Sequence, residues 1–89
     1  MKFRLGRLLS TRGALEALRQ NNQGFFDFVA RHKTGDWGDV CDADKKENDL
    51  SLKEGFRLLS AYTLKDGTKI WLITEADRSA TTILLPEEY

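Results

Sequence analysis

The side chains with the greatest catalytic potential lie between residues 32 and 44. His32 is the only histidine and Cys41 the only cysteine of the chain. The same segment holds four aspartates, Asp36, Asp39, Asp42 and Asp44. A histidine beside a cysteine can act as general base and nucleophile, and clustered carboxylates are the ligands that Ca²⁺ and Mg²⁺ prefer. The segment therefore raises the hypotheses of an enzyme and of a metal site.

Neither pattern is specific. The aspartate spacing does not match an EF-hand loop, and there is no second histidine to complete a zinc site. Asp42 suits the cap of a following helix, and Asp36 suits a turn. His32 falls on an apolar helix stripe, which favours a packed side chain with satisfied hydrogen bonds. We therefore predict no catalytic residues, no metal and no cofactor.

A second set of residues is typical of contact surfaces. Trp37 lies in a glycine-rich loop, where it either plugs a small core, which is the favoured interpretation, or anchors a partner as interface tryptophans do. Around Asp77 a polar turn offers hydrogen-bonding side chains, and Glu75 and Arg78 are expected to pair across it. The predicted interaction surface comprises Asp36, Trp37, Asp39, Tyr62, Trp71, Glu75, Asp77, Arg78 and Ser79.

The composition narrows the class of protein. The chain has 89 residues with 14 basic and 14 acidic side chains, which indicates one domain over residues 1–89. Nucleic-acid binders usually carry a basic excess, so zero net charge favours a protein partner or self-association as a homodimer. A lone cysteine excludes an intramolecular disulfide. No apolar run reaches the ~18 residues of a membrane span, so we predict no membrane contact and a cytoplasmic location.

A strand and a helix are predicted at the start of the chain. Residues 3–10 alternate imperfectly, as a strand does, and Gly6 marks a bulge or an edge. Thr11 precedes a helix over residues 12–20, and its hydroxyl can accept an amide of the first turn. The buried face of this helix is expected to consist of Ala14, Leu15 and Leu18.

Two further helices follow. Over residues 24–33, apolar side chains recur at intervals of three and four, and Gly35 is expected to end this helix in the left-handed conformation. Its buried stripe is predicted to be Phe25, Phe28, Val29 and His32, widened by Phe26 and Ala30. Residues 42–53 form a third, mostly charged helix that is expected to lie on the surface with few contacts and to end at Gly55.

The rest of the chain changes to a period of two, which indicates strands over residues 56–64, 69–76 and 81–85. Asp66-Gly67 is a strong hairpin signal. With a two-residue loop Tyr62 opposes Trp71, whereas a three-residue loop with a bulge shifts the pairing by one. The predicted fold class is α+β in the order β-α-α-α-β-β-β. The helices pack on one face of a four-stranded sheet that contains an antiparallel three-stranded meander.

Both faces of the hairpin hold apolar side chains in either register. One face is expected to pack against the first two helices. The other is more apolar than a solvated face, and contiguous apolar patches mark interaction sites. We therefore predict that a partner covers part of this second face.

Five segments form a distinctive set: residues 15–18 (LEAL), 30–32 (ARH), 35–39 (GDWGD), 58–62 (LLSAY) and 73–82 (ITEADRSATT). Together they resemble a family of small bacterial proteins that occur on plasmids and other mobile elements and have no established activity. The resemblance spans nearly the whole chain. It implies a bacterial, cytoplasmic protein and brings no catalytic residues with it.

Three functions follow as hypotheses, in descending order. The favoured one is a non-enzymatic protein–protein interaction or accessory module of a bacterial plasmid or mobile element. The alternative is weak binding of single-stranded nucleic acid, with Tyr62 and Trp71 as a stacking platform beside Lys2, Arg4 and Arg7. The third is a small enzyme built on the histidine, the cysteine and the aspartates, which requires these groups to come within hydrogen-bond reach of one another.

Overall fold

The structure is a computed structural model that describes residues 3–89. Its elements in chain order are β1 (Arg7–Ser10), α1 (Arg12–Gln20), α2 (Phe25–Lys33), α3 (Asp42–Glu54), β2 (Leu58–Thr63), β3 (Lys69–Thr74), β4 (Ala80–Leu84) and a 3₁₀ turn (Pro86–Glu88). The predicted α+β class and element order are confirmed. Within residues 3–89, no helix is both long and apolar enough to span a membrane.

The four strands form one sheet in the order β1-β4-β3-β2. β2, β3 and β4 make the predicted antiparallel meander. β1 joins β4 in parallel, so the sheet is mixed. The strand that comes first in the chain thus lies at the edge farthest from β2.

β1 is shorter than the strand predicted over residues 3–10. Gly6 adopts a left-handed φ of 65°, which bends the chain before the ladder begins at Arg7. The Leu5 carbonyl accepts a hydrogen bond from the Thr81 side chain at 2.7 Å instead of from a strand. Residues 3–6 therefore form an irregular segment whose Phe3 packs against the core.

α1 has the predicted bounds and cap but a different buried face. The Ala14 amide donates to Thr11 Oγ1 at 3.2 Å. Ala14, Ala17 and Leu18 are buried, which is the i, i+3, i+4 spacing of one helix face. The prediction that Leu15 is buried is wrong, since its side chain is 50% exposed. It lies about 100° round the helix from Ala14.

α2 buries a narrower stripe than predicted. Phe28, Val29 and His32 are buried, and Phe25 packs partly against the same core. The predicted widening by Phe26 and Ala30 is wrong, since both are exposed. Both positions lie about 100° or more round the helix from the stripe, on the solvent side.

α3 lies along the outer edge of β2. Its N-cap is Cys41, so the predicted capping role of Asp42 is wrong, while Gly55 ends it as predicted with φ 79°. The Asn48 side chain donates to the Leu59 carbonyl at 2.7 Å and accepts the Leu59 amide at 3.0 Å. Asn48 and Ser51 are the buried residues of this helix, and Asn48 satisfies the backbone of a strand edge.

The loop between β2 and β3 has three residues. The Leu64 amide donates to the Thr68 carbonyl at 2.7 Å, and the Gly67 amide donates to the Leu64 carbonyl at 2.9 Å. Gly67 has φ 90°, the left-handed conformation that a bulged hairpin of this length requires. The two-residue loop is therefore wrong, and the three-residue alternative is correct.

This loop sets the register between β2 and β3. Tyr62 pairs with Ile70, and Ala61 pairs with Trp71, which is the register shifted by one residue from the pairing of Tyr62 with Trp71 that a two-residue loop gives. Because side chains alternate between faces, the shift moves Tyr62 to the face opposite Trp71. The loop length thus determines which aromatic side chain reaches the core.

The two faces of the sheet have different surroundings. The first face packs against α1 and α2 in a core of Ala14, Ala17, Leu18, Phe28, Val29, Tyr62, Leu64, Ile70, Leu72 and Ile83. This confirms the prediction that the first two helices cover one face. The opposite side, called the open face below, is formed by Leu9, Leu59, Ala61, Trp71, Ile73, Thr82 and Leu84.

Candidate functional site

His32 lies at the centre of a buried chain of polar groups. Its exposure is 0%. Nδ1 lies 2.5 Å from the Ser60 hydroxyl and Nε2 lies 2.8 Å from the Thr74 hydroxyl. The Thr74 hydroxyl is 2.7 Å from that of Thr81, which donates to the Leu5 carbonyl. The histidine therefore links α2, three strand residues and the segment before β1.

The direction of each hydrogen bond follows from the last acceptor. A carbonyl only accepts, so Thr81 gives its proton to Leu5 and accepts from Thr74, which in turn accepts from Nε2–H of His32. Nδ1 then carries no proton and accepts from Ser60. Burial lowers the pKa of His32 from 6.5 to about 4, which keeps the ring neutral. The predicted packed histidine is confirmed.

Cys41 and the aspartates of α3 do not belong to this hydrogen-bonded network around His32. Cys41 is exposed, whereas both ring nitrogens of His32 contact hydroxyls. Asp42 and Asp44 lie in the first turn of α3, where carboxylates interact favourably with the helix dipole. Among the residues described, 3–89, no three His, Cys, Asp or Glu side chains are close enough to hold a metal ion.

Asp36 and Asp39 fasten the loop before α3. Arg31 Nε donates to Asp36 Oδ2 at 2.7 Å, and this bond lowers the pKa of Asp36 and raises the pKa of Arg31. The Asp39 amide donates to the Ala61 carbonyl at 2.6 Å, and the Thr63 hydroxyl donates to Asp39 Oδ2 at 2.8 Å. Both aspartates thus have structural roles beside the edge of β2.

Trp37 and Tyr62 belong to the core. Trp37 is 6% exposed and stacks on Phe3 with ring centroids 6.1 Å apart, which confirms that it plugs the core. The Tyr62 hydroxyl donates to the Asp36 carbonyl at 2.5 Å, and burial raises the pKa of Tyr62 to about 12. Neither ring is presented to a partner.

The turn between β3 and β4 is held by its own side chains. The Ser79 amide donates to Asp77 Oδ1 at 2.9 Å. The Arg78 guanidinium donates to the carbonyls of Ser51 and Glu75 at 3.0 and 3.2 Å. The expected contact of Arg78 with Glu75 therefore forms through the main chain and not through the carboxylate. The arginine ties the end of α3 to the sheet.

The observed register separates the two aromatic residues of the nucleic-acid hypothesis. Tyr62 faces α2, with ring centroids 5.3 Å from Phe28, whereas Trp71 lies on the open face. The stacking platform that motivated this hypothesis is thus wrong. Of its basic residues, Arg4 and Arg7 are exposed, and Lys2 lies outside the described residues.

The open face has a charged rim and an apolar centre, in which Trp71 is half-buried and Ile73 and Leu84 are only 5% and 6% exposed. One row of directly paired residues crosses all four strands and consists of Leu9, Thr82, Ile73 and Leu59. A second row consists of Leu84, Trp71 and Ala61. α1 and α2 pack on the other side of the sheet. Charged side chains beside these rows are Asp39, Arg57, Lys69 and Glu75.

The C-terminal residues of the chain itself cover part of the open face, which was predicted to be covered by a partner. The Tyr89 ring stands edge-on to Trp71 with centroids 5.8 Å apart, and Arg57 Nη1 donates to the Tyr89 hydroxyl at 2.7 Å. Glu88 anchors this segment, because its Oε1 accepts a hydrogen bond from the Thr11 hydroxyl at 2.6 Å. Tyr89 is nevertheless 70% exposed, so the aromatic pair is accessible from solvent.

Two open cavities flank the aromatic pair. One, of about 190 Å³, is lined by Arg57, Ile73, Glu75, Thr82, Leu84 and Tyr89. The other, of about 230 Å³, lies beside Trp71 and extends to Val40 and Leu59. Small-molecule sites are typically about 300–1,000 Å³. These cavities therefore suit individual side chains of a partner better than a cofactor.

Several residues of this surface were not predicted from the sequence. Leu9 and Leu84 lie on it and Arg57 and Tyr89 border it, and none of these four belongs to the predicted surface. Leu84 is the neighbour of Trp71 through the register of β3 with β4, which the turn between those two strands sets. Leu9 could be placed only by pairing β1 with β4, a contact between distant parts of the sequence.

Comparisons with protein-family models, with curated proteins and with solved structures found no match for this chain. The function is therefore inferred from the geometry of the surfaces described above.

Proposed function

We propose that this protein is a non-enzymatic binding module that engages a protein partner through its open face. The setting is the bacterial plasmid or mobile element that the sequence resemblance implies. The observation that carries the proposal is the apolar surface around Trp71, which is bordered by charged side chains. Protein interfaces have this anatomy, with an aromatic-rich apolar centre inside a polar rim.

Trp71 and Tyr89 are the anchors of the proposed contact. Tryptophan and tyrosine are enriched among the residues on which binding energy depends. The Arg57 hydrogen bond holds the Tyr89 ring, so a partner meets aromatic groups that are already ordered, which lowers the entropic cost of binding. Replacing Trp71 with alanine is expected to weaken binding on the order of thirtyfold.

The use of the reactive side chains supports a non-enzymatic role. Ser60, His32 and Thr74 have zero exposure, so a substrate does not reach the imidazole. Cys41 is exposed but is separate from the imidazole, whose nitrogens contact hydroxyls. His32 and its hydroxyl partners therefore serve to hold the fold.

Site-specific photo-crosslinking tests this proposal. A photoreactive amino acid at Thr82 lies on the open face, and the same amino acid at Thr34 lies exposed at the end of α2. In bacterial cells, we expect a discrete covalent adduct at Thr82 and none at Thr34. Mass spectrometry of the adduct identifies the partner.

A second variant separates specific docking from chance contact. Trp71→Ala in the Thr82-labelled protein is expected to lower the adduct yield, because the anchor is lost while the label is unchanged. Equal adducts at Thr82 and Thr34, or a yield that is insensitive to Trp71, would contradict the proposal.

A further inference from the structure

β1 presents a strand edge that its own sheet does not use. The Arg7 amide donates to the carbonyl of Ser79, just before β4, at 2.9 Å, and the Thr11 amide donates to the Ile83 carbonyl of β4 at 3.0 Å. Backbone groups of successive strand residues point to alternate sides, so Arg7, Leu9 and Thr11 bond to β4. Leu8 and Ser10 therefore direct both N–H and C=O away from the sheet. Within residues 3–89, no strand lies on that side of β1.

The opposite edge of the sheet is covered. The Asn48 side chain forms hydrogen bonds with both the amide and the carbonyl of Leu59. The Ala61 amide donates to the Trp37 carbonyl, and the Ala61 carbonyl accepts from the Asp39 amide. Folded proteins protect edge strands in this way because an open edge pairs with other chains. The protein thus protects one edge and leaves the other open, with Leu8 and Leu9 38% and 40% exposed.

We propose that β1 pairs antiparallel with β1 of a second copy of this chain, about a two-fold axis at Leu9. Leu8 then faces Ser10 of the partner subunit, and Ser10 faces the partner subunit's Leu8. Each of these pairs exchanges two backbone hydrogen bonds. All the outward backbone groups of both residues are thereby satisfied, and Leu9 meets its own copy across the axis.

Neighbouring registers satisfy fewer groups. With the axis at Leu8, Ser10 faces Gly6, whose φ of 65° is not extended. With the axis at Ser10, Leu8 faces Arg12, which is already helical. Each alternative leaves a single hydrogen-bonded pair, so the register about Leu9 is the one that the backbone favours.

The separation of the two Arg7 residues favours the register about Leu9 over the register about Leu8. With the axis at Leu9, the two Arg7 residues are four positions apart along the strands, about 13 Å. This exceeds the Debye length of about 10 Å at 0.1 M salt. With the axis at Leu8, they would be only two positions apart, about 7 Å. The zero net charge of the chain adds no general repulsion between copies.

The pairing has a consequence for the proposed binding surface. A two-fold axis perpendicular to the sheet leaves both open faces on the same side, joined by the row Leu9–Thr82–Ile73–Leu59 of each copy. The dimer then presents two partner sites, which raises the avidity for a repeated partner. This extension depends on the proposed function, but the pairing itself does not.

A charge swap at the axis tests the pairing. Leu9→Lys and Leu9→Glu each place like charges directly opposite one another, which destabilises a strand pair. Sedimentation equilibrium is expected to show a dimer for the parent chain and a dissociation constant raised on the order of tenfold for each variant. Mixing the two variants is expected to restore a dimer. The same swap at Phe26, exposed on α2, is the control and leaves the dimer unchanged.

A cysteine pair tests the register. In a Cys41→Ser background, Leu9→Cys places two thiols on residues whose Cα atoms are about 4.5 Å apart, within the range of a disulfide. Leu8→Cys places them two positions apart and out of reach. We expect a disulfide-linked dimer from Leu9→Cys only. Equal cross-linking of both, or a parent chain that stays monomeric, would overturn the inference. Adducts at Thr82 would still leave the proposed function standing.

Discussion

A neutral histidine in the core makes folding depend on pH. The pKa of His32 is lowered to about 4 by burial, against 6.5 in an unperturbed chain. Between these values the unfolded chain binds a proton that the folded chain does not, so the free energy of unfolding falls as the pH falls. The stability that the folded protein has with His32 neutral is complete above pH 6.5, and this part of it is lost by about pH 4. Its size is about 3 kcal/mol, measurable by urea unfolding across this range.

His32→Gln identifies the source of this dependence. Glutamine can donate and accept hydrogen bonds but does not titrate, so the fall between pH 6.5 and 4 should largely vanish. Carboxyls with lowered pKa, such as Asp36 and Glu88, also make the free energy of unfolding depend on pH. They do so below their ordinary pKa values of 3.8 and 4.5, and equally in both proteins. Their effect cancels in the difference between the two curves. The same slope in both proteins would mean that another group is responsible.

At the scale of elements, the β2–β3 hairpin depends on one left-handed residue. Gly67 has φ 90°, and a Cβ there would have no atom within 4 Å. Gly67→Ala therefore tests backbone conformation without a steric clash, and we expect it to lower the free energy of unfolding by about 1–2 kcal/mol. Gly67→Asn should cost less, because asparagine tolerates this conformation. Chemical denaturation measures both, and equal losses would contradict the assigned turn.

The elements themselves could be predicted from local patterns. Thr11, the stripe of α2 and the change to a period of two all act within a few residues, so they survive in the sequence as spacing and composition. The register could not be predicted in the same way. Asp66-Gly67 is compatible with two loop lengths, and the choice between them moves Tyr62 from one face to the other.

The candidate site was predicted less completely than the fold. Of the predicted surface, Trp71 lies on the open face and Asp39 and Glu75 border it, whereas Trp37 packs in the core. Leu9 joins the site through a parallel pairing of β1 with β4, which connects the two ends of the chain. Contacts of this kind leave no local pattern. Likewise, the burial of the polar Asn48 in α3 has a reason only when the Leu59 backbone is seen beside it.

At the scale of the molecule, the two sheet edges decide how copies can associate. One open edge allows an antiparallel pair related by a two-fold axis, and that arrangement closes after two copies. Two open edges would allow copies to add at both ends without closure. In the proposed dimer, the covered edge of β2 would therefore limit assembly to two copies as well as stabilise the fold.

Opening the covered edge should change the assembly. Asn48→Ala removes both hydrogen bonds to Leu59, and we expect a loss of about 1–3 kcal/mol in the free energy of unfolding together with species larger than a dimer in sedimentation velocity. Ser51→Ala is the matched control. Ser51 is equally buried in α3, but its hydroxyl donates to the Glu47 carbonyl of the same helix at 2.8 Å, so the β2 edge stays covered. If Asn48→Ala keeps the mass of the parent protein at every concentration, the cover at Leu59 does not limit assembly.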